Sequence, residues 1–441
     1  MSRYFTEALF TDLYELTMAQ AYHAEAMNEP AAFELYFRSL PEHRNFMVAA
    51  GLDDVLGYLE DLQFDQSDLD YLRTVGEFSD AFLQRLAEFR FRGQVEAVPE
   101  GTVVFPNEPL LRVVAPILDA QVVETFVINQ VHFQTLAASK AARVVLAAHG
   151  RKVVDFGSRR AHGTDAALKV ARAAWLVGAA GTSNVLAGKL YGIPIVGTMA
   201  HSYIQAHDDE AEAFRAFAEL YPQTTLLVDT YDTLEGVRKV IDLCRRSDED
   251  VRLRAVRLDS GDLAELARRT RAMLDEAGLG HIRIVASGGL DEYKVAALRE
   301  AGAPIDAFGV GTKMVVAADA PHVDFAYKLV EYAGEPRTKL STKKVLYPGR
   351  KQVFRRMAHG KFAGDTVGRD DESLDGQPLL EPVMRDGWRL PAGNISLADA
   401  REHAREQLDR LPDALRQLDE VAPGYPVSIS PRLERELRKL S

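Results

Sequence analysis

Polar and apolar positions in the first ninety residues mostly follow the spacing of helices. The segment that begins Asp12-Leu-Tyr-Glu-Leu-Thr-Met puts Leu13, Leu16 and Ala19 on one stripe, with Thr11 placed to cap it. Ala32-Phe-Glu-Leu-Tyr-Phe-Arg alternates instead and predicts a strand. Between Gly93 and Pro116 the pattern shifts to short β-type runs broken by Pro and Gly, and from about Asp119 to His149 it becomes helical again. After residue 150 a new rhythm sets in: a short apolar run, then Gly or polar residues, then a helical pattern. The runs are Lys152-Val-Val-Asp-Phe, Val177-Gly-Ala-Ala, Pro194-Ile-Val-Gly, Thr225-Leu-Leu-Val, Leu253-Arg-Ala-Val-Arg-Leu, Ile282-Arg-Ile-Val-Ala and Ile305-Asp-Ala-Phe-Gly-Val, with Tyr327-Lys-Leu-Val-Glu-Tyr as a possible further strand. Strands alternating with helices predict parallel βα units, and this many in series favour a barrel over an open sheet.

The fold class expected is therefore α/β, an irregular parallel βα barrel with a second α/β domain built from N- and C-terminal segments. The boundaries expected are 1–120 for the N-terminal α/β domain, 121–340 for the barrel, and 341–441 for a tail that packs back on the N-terminal domain. Beyond about residue 340 the chain turns basic (Lys339, Lys343, Lys344, Arg350, Lys351, Arg355, Arg356), then reads as loop, and closes with a charged helix.

Composition narrows the function classes. The 441 residues are 47% hydrophobic and 27% charged, as in ordinary globular proteins with ample core. Lys and Arg number 53 against 65 Asp and Glu, a net charge of −12, which argues against nucleic acid or a membrane surface as a bulk electrostatic partner. A lone cysteine, Cys244, excludes an internal disulfide framework and fits a reducing compartment. The N-terminal residues lack the basic-then-apolar pattern of a signal peptide, and no run approaches the roughly 18 apolar residues of a membrane span. A cytoplasmic location is expected.

Barrel chemistry sits at the C-terminal ends of strands. In order, those ends read Asp155-Phe-Gly-Ser-Arg-Arg, Gly181-Thr-Ser-Asn, Gly197-Thr-Met-Ala-His, Asp229-Thr-Tyr-Asp, Arg257-Leu-Asp-Ser-Gly-Asp, Ser287-Gly-Gly and Gly309-Val-Gly-Thr-Lys. Each offers small, hydroxyl or charged groups. The last two present backbone N–H groups unobstructed by Cβ and lead into helices, which suits a phosphate, although tight βα turns alone would also use glycine. Asp259 suits a metal–diphosphate complex or the stabilisation of positive charge, and Asp262 suits a helix cap. Position alone does not separate His201 from His162 and His207. No clustered His/Cys metal pattern, Walker-type loop or Gly-x-Ser-x-Gly elbow is present, and the metal ligands stay unassigned.

Taken together, Thr11-Asp-Leu-Tyr-Glu-Leu-Thr-Met, Phe156-Gly-Ser-Arg-Arg, Gly197-Thr-Met-Ala-His-Ser, Arg257-Leu-Asp-Ser-Gly-Asp and Phe308-Gly-Val-Gly-Thr resemble the nicotinate phosphoribosyltransferase family, in order and from about residue 8 to residue 356. The resemblance implies an enzyme of NAD biosynthesis that joins nicotinate to phosphoribosyl diphosphate, coupled to ATP hydrolysis and using Mg²⁺. It implies a homodimer with shared active sites, each completed by the partner's N-terminal segment. His201 matches the histidine that ATP phosphorylates, and Asp229 the carboxylate that holds its ring. Asp259 matches a stabiliser of the oxocarbenium-like centre. Tyr14 and Phe156 are similar to the pair that sandwiches the pyridine ring, and Arg159, Thr198 and Arg257 to positions around it. Ser287, Gly288, Gly309, Gly311 and Thr312 match the ribose 5-phosphate cradle. Related nicotinamide enzymes carry an aspartate where this chain has Ser183, so the resemblance favours the acid over the amide. The alternatives are a nicotinamide-type enzyme, another phosphate-binding barrel such as an isomerase or aldolase, and a non-catalytic ligand-binding barrel. The aldolase reading would call for a Schiff-base lysine, for which Lys313 alone is placed.

Overall fold

A computed structural model of the chain describes residues 8–246, 252–339 and 345–440. Lys343, Lys344 and the first seven residues, on which the leader reading rests, lie outside them. The chain forms two compact units, one from Lys140–Asp319 and one from Met1–Ser139 with Ala320–Ser441. The division falls inside the long helix Glu124–Ala148 and at residue 319, rather than at the expected 120 and 340.

The unit Lys140–Asp319 is built on six parallel strands: β1 (Lys152–Asp155), β2 (Gly181–Thr182), β3 (Thr225–Leu227), β4 (Ala255–Leu258), β5 (Arg283–Ala286) and β6 (Ala307–Val310). Their order is β2-β1-β6-β5-β4-β3, which runs cyclically through the chain and opens between β2 and β3. Short strands buried on both faces explain why each reads as a brief apolar run. Two expected runs differ. The Val177 run lies before its strand, because Gly178 takes φ +115° to end the preceding helix and pairing starts at Gly181. The Pro194 run contributes a parallel bridge, Ile195 to Thr182, in place of a full strand. Asp262 caps the helix Leu263–Glu276 by accepting from the backbone N–H groups of Ala264 and Glu265.

The other unit carries a seven-stranded antiparallel sheet. The Tyr327 run belongs here: Phe325–Tyr332 pairs antiparallel with Pro30–Phe37, so it extends this sheet and not the parallel one. The tail contributes a strand within the basic stretch, Lys351–Ala358, and two where loop was expected, Lys361–Arg369 and Glu381–Arg385, the last pairing with Gln94–Ala97. These strands hide charge inside. Arg355 is buried and its guanidinium donates to both carboxylate oxygens of buried Asp365, to the Val103 carbonyl and to Gln407. Arg112 faces Glu34 and Glu96 across adjacent strands, and Lys351 Nζ lies 2.7 Å from Glu34 Oε2. Arg355, Arg112 and Lys351 each have a counter-charge, as burial demands. The helix Leu13–Ala24 has Asp12 at its N-cap, while the Thr11 hydroxyl, expected there, donates to the buried Glu15 carboxylate. No described helix is long and apolar enough to cross a membrane.

Candidate active site

The C-terminal ends of the parallel strands surround a cavity of about 690 Å³. Its wall holds Phe156, Arg159 and Arg160 after β1, Ser183 after β2, Thr198 and His201 from the following loop, Arg257 and Asp259 at β4, Ser287, Gly288 and Gly289 after β5, and Gly309, Gly311 and Thr312 at β6. Parallel strands aim their carboxyl ends at one face, so residues far apart in sequence converge there.

Packing dictates the glycines. A Cβ on Gly309 would stand 2.5 Å from the Phe156 ring, so the ring packs this close to β6 only because position 309 has no side chain. A Cβ on Gly288 would stand 1.7 Å from the Asp259 carbonyl oxygen, and Gly288 adopts φ +91°, so two loops touch backbone to backbone. The helix after Ser287-Gly-Gly, Glu292–Glu300, is already capped: Asp291 Oδ1 accepts from Lys294 N at 2.8 Å. The helix at Thr312–Val315 is a single turn. The amide groups facing the cavity are thus those of the loops themselves. Lys313 does not line the cavity; its ammonium pairs with Asp291 at 2.5 Å, tying the two glycine loops together.

Asp259 Oδ1 accepts from the Ser287 hydroxyl at 2.5 Å. Asp229, behind it, is buried, and its Oδ2 accepts from the Asp259 backbone N–H at 3.0 Å and from the Ser260 hydroxyl at 2.6 Å. Asp229 Oδ1 is buried without a hydrogen-bond partner among the described residues. The imidazole of His201 is met by Thr230, with Nδ1 and Oγ1 3.1 Å apart. Asp229 therefore holds the Asp259 loop, and the ring that sequence reasoning gave to it rests on its neighbour. Thr230 was in view within Asp229-Thr-Tyr-Asp, but a threonine at a strand end carries no distinguishing signal. Arg257 places its guanidinium 6.0 Å from the Phe156 ring centroid. Burial pushes its pKa down and Arg159 adds to that, while Asp259 and Asp229 pull it up. Tyr14 belongs to the other unit, where it is exposed on the helix Leu13–Ala24.

Comparison with known proteins places this arrangement. Residues 9–132 match the nicotinate phosphoribosyltransferase (NAPRTase) N-terminal domain, and residues 151–353 match the nicotinate phosphoribosyltransferase (NAPRTase) family. The chain is 60% identical over 433 residues to nicotinate phosphoribosyltransferase pncB2 of Mycobacterium tuberculosis, covering 98% of this chain and 94% of that protein. It is 41% identical to the nicotinate phosphoribosyltransferase of Bacillus subtilis over 85% of this chain and 78% of the other. Among solved structures it superposes on human nicotinic acid phosphoribosyltransferase with a TM-score of 0.87 and 29% identity, over 98% of this chain and 100% of that one. A nicotinate-nucleotide pyrophosphorylase from Pyrococcus furiosus follows at 0.75 and 26%, covering 93% and 99%. The chain belongs to the nicotinate phosphoribosyltransferase family.

Proposed function

We infer that this protein transfers the phosphoribosyl group of phosphoribosyl diphosphate to the ring nitrogen of nicotinate, giving nicotinate mononucleotide and diphosphate in NAD biosynthesis. The observation that carries this reading is the convergence, in one cavity, of the Phe156 ring, the Arg257 fork, the Asp259 carboxylate and two glycine loops. Each group suits one part of the reactants. Phe156 offers a face for the pyridine ring, Arg257 and Arg159 a planar fork and a charge for its carboxylate, and the Ser183 hydroxyl a donor that an amide-selective aspartate would lack. Ser287, Gly288, Gly309, Gly311 and Thr312 offer amide and hydroxyl donors to the 5-phosphate. In the reaction, the C1–O bond of ribose breaks with its electron pair leaving on diphosphate, and the nicotinate nitrogen lone pair forms the C1–N bond. Asp259, negative and beside that path, stabilises the positive charge that develops at C1.

ATP coupling fits His201. Its Nε2 attacks the γ-phosphorus, ADP departs, and water later releases phosphate from the imidazole. Mg²⁺ takes oxygen ligands and usually keeps waters, held by one or two carboxylates plus substrate phosphates. Among the described residues no cluster of three or more His, Cys, Asp and Glu could cage an ion, whereas Asp259 opens on the cavity and Asp229 Oδ1 has no partner. That donor set fits a metal arriving with the diphosphate, where it would neutralise leaving-group charge.

The cyclic strand order, with Ile195 bridging beside the opening, supports reading the sheet as an irregular barrel. The exposed Phe10, Leu13 and Tyr14 support a homodimer in which the second ring over nicotinate is Tyr14 of the partner subunit. A single cysteine in an acidic chain supports the cytoplasm. The test is nicotinate with phosphoribosyl diphosphate, with and without ATP, followed for the mononucleotide. Product that ATP stimulates is expected, with nicotinamide a poor substitute. No product from nicotinate under either condition would overturn the reading.

A further inference from the structure

Asp155 ends β1 and is buried, yet no described residue forms an ion pair with it. A carboxylate in that position is costly to a fold, and packing alone would favour an apolar residue. Its hydrogen bonds show what it does. Oδ1 accepts from the Gly157 backbone N–H at 2.8 Å, which fixes the turn carrying Phe156. Oδ2 accepts from the Thr182 hydroxyl at 2.7 Å, and the Asp155 carbonyl accepts from Ser183 N at 2.8 Å. Thr182 Oγ1 in turn accepts from Asn184 N at 3.1 Å. One side chain thus grips two separate strand ends, and Phe156 and Ser183, which both face the cavity, flank it on either side.

We propose that Asp155, acting through Thr182, is a positioning residue that sets the spacing between the Phe156 ring and the Ser183 hydroxyl, and with it the preference for a pyridine carboxylate over its amide. The proposal rests on Phe156 and Ser183 contacting the pyridine substrate. The Phe156 ring is pinned from behind, since position 309 admits no Cβ, so its freedom lies in the Gly157 turn that Asp155 holds. Ser183 has no comparable packing and is exposed to the cavity; its place depends on the Thr182–Asn184 turn. Small displacements of groups that recognise a rigid planar substrate are expensive in binding and leave distant steps alone.

Thr182→Val keeps the shape and removes the hydroxyl that links the two turns, while Thr182→Ser restores it. In steady-state assays Thr182→Val is expected to raise the KM for nicotinate about tenfold, the worth of one lost hydrogen bond, with the KM for phosphoribosyl diphosphate held within about twofold. The ratio of kcat/KM for nicotinate to that for nicotinamide falls with it, and Thr182→Ser recovers both. Asp155→Asn shifts the same two quantities in the same direction. A purely structural role would instead lower the melting temperature and touch both substrates alike. An unchanged nicotinate KM in Thr182→Val overturns the proposal when Ser183→Ala and Phe156→Ala do raise it. If those two leave it unchanged as well, the underlying assignment of the pyridine site is what fails.

Discussion

His201 Nδ1 stands 3.1 Å from Thr230 Oγ1, and Nε2 has no protein partner among the described residues. When Nδ1–H donates to the threonine oxygen, the lone pair is left on Nε2, which is the nucleophilic nitrogen of that tautomer. The acceptor of phosphate from ATP is therefore expected to be Nε2. Incubation with γ-labelled ATP should give an acid-labile phosphoryl group that is lost in His201→Ala. Thr230→Val should slow its formation about three- to tenfold, the cost of one lost orienting hydrogen bond. Labelling that survives in His201→Ala would refute the assignment.

If the partner's Tyr14 completes the site around Phe156, two crippled variants should rescue each other. Tyr14→Ala and Phe156→Ala are each expected to bind nicotinate poorly. Mixed and allowed to exchange subunits, they form heterodimers with one site that holds both rings and one that holds neither. With random exchange about a quarter of wild-type turnover should return. Activity equal to the mean of the two parents would show that the rings do not meet across subunits.

Gly288 and Asp259 touch through their backbones, and a Cβ at 288 would press into the Asp259 carbonyl oxygen at 1.7 Å. Gly288→Ala should displace the carboxylate and lower kcat about a hundredfold or more. Gly302→Ala makes a fair control: it also has positive φ, +64°, but open space around the position. It should cost about 1 kcal/mol of stability and leave kcat alone.

The buried Glu15 carboxyl is pushed up to about 7, mainly by desolvation and against the pull of the Thr11 and Thr125 hydroxyls. A folded-state pKa above the unfolded value means that the folded chain holds the proton more tightly. The resulting stability is full below about pH 4.5 and is lost as pH rises through about 7. Glu15→Gln cannot titrate, so melting temperatures between pH 5 and pH 8 should fall less steeply for the variant than for the wild type. Equal slopes would discard the assignment.

The sheet that carries the site was readable because parallel strands announce themselves. Val153, Val154, Leu226, Leu227, Ile284 and Phe308 are buried, and each run stops where chemistry begins. The tail was not readable, since Lys351, Arg355 and Asp365 are buried in counter-charged sets that erase the alternation a strand usually shows. The same limit applies inside the site. Asp229 was conspicuous as a charge, but its partners Asp259 and Ser260 lie on a different strand end, and spacing along the chain cannot say which of several neighbours a carboxylate will choose.

The pairing of Gln94–Ala97 with Glu381–Arg385 bears on the order in which the molecule is made. On a ribosome the first strand emerges early and its partner only near the end of synthesis, after the whole of Lys140–Asp319 has appeared. The parallel sheet can close while its neighbour still waits, with one sheet edge open and two internally charged strands unbuilt. Truncation before Glu381 would leave that edge permanently exposed to other chains. The strand Glu381–Arg385, made within the last sixty or so residues, thus closes an edge that the first quarter of the chain leaves open.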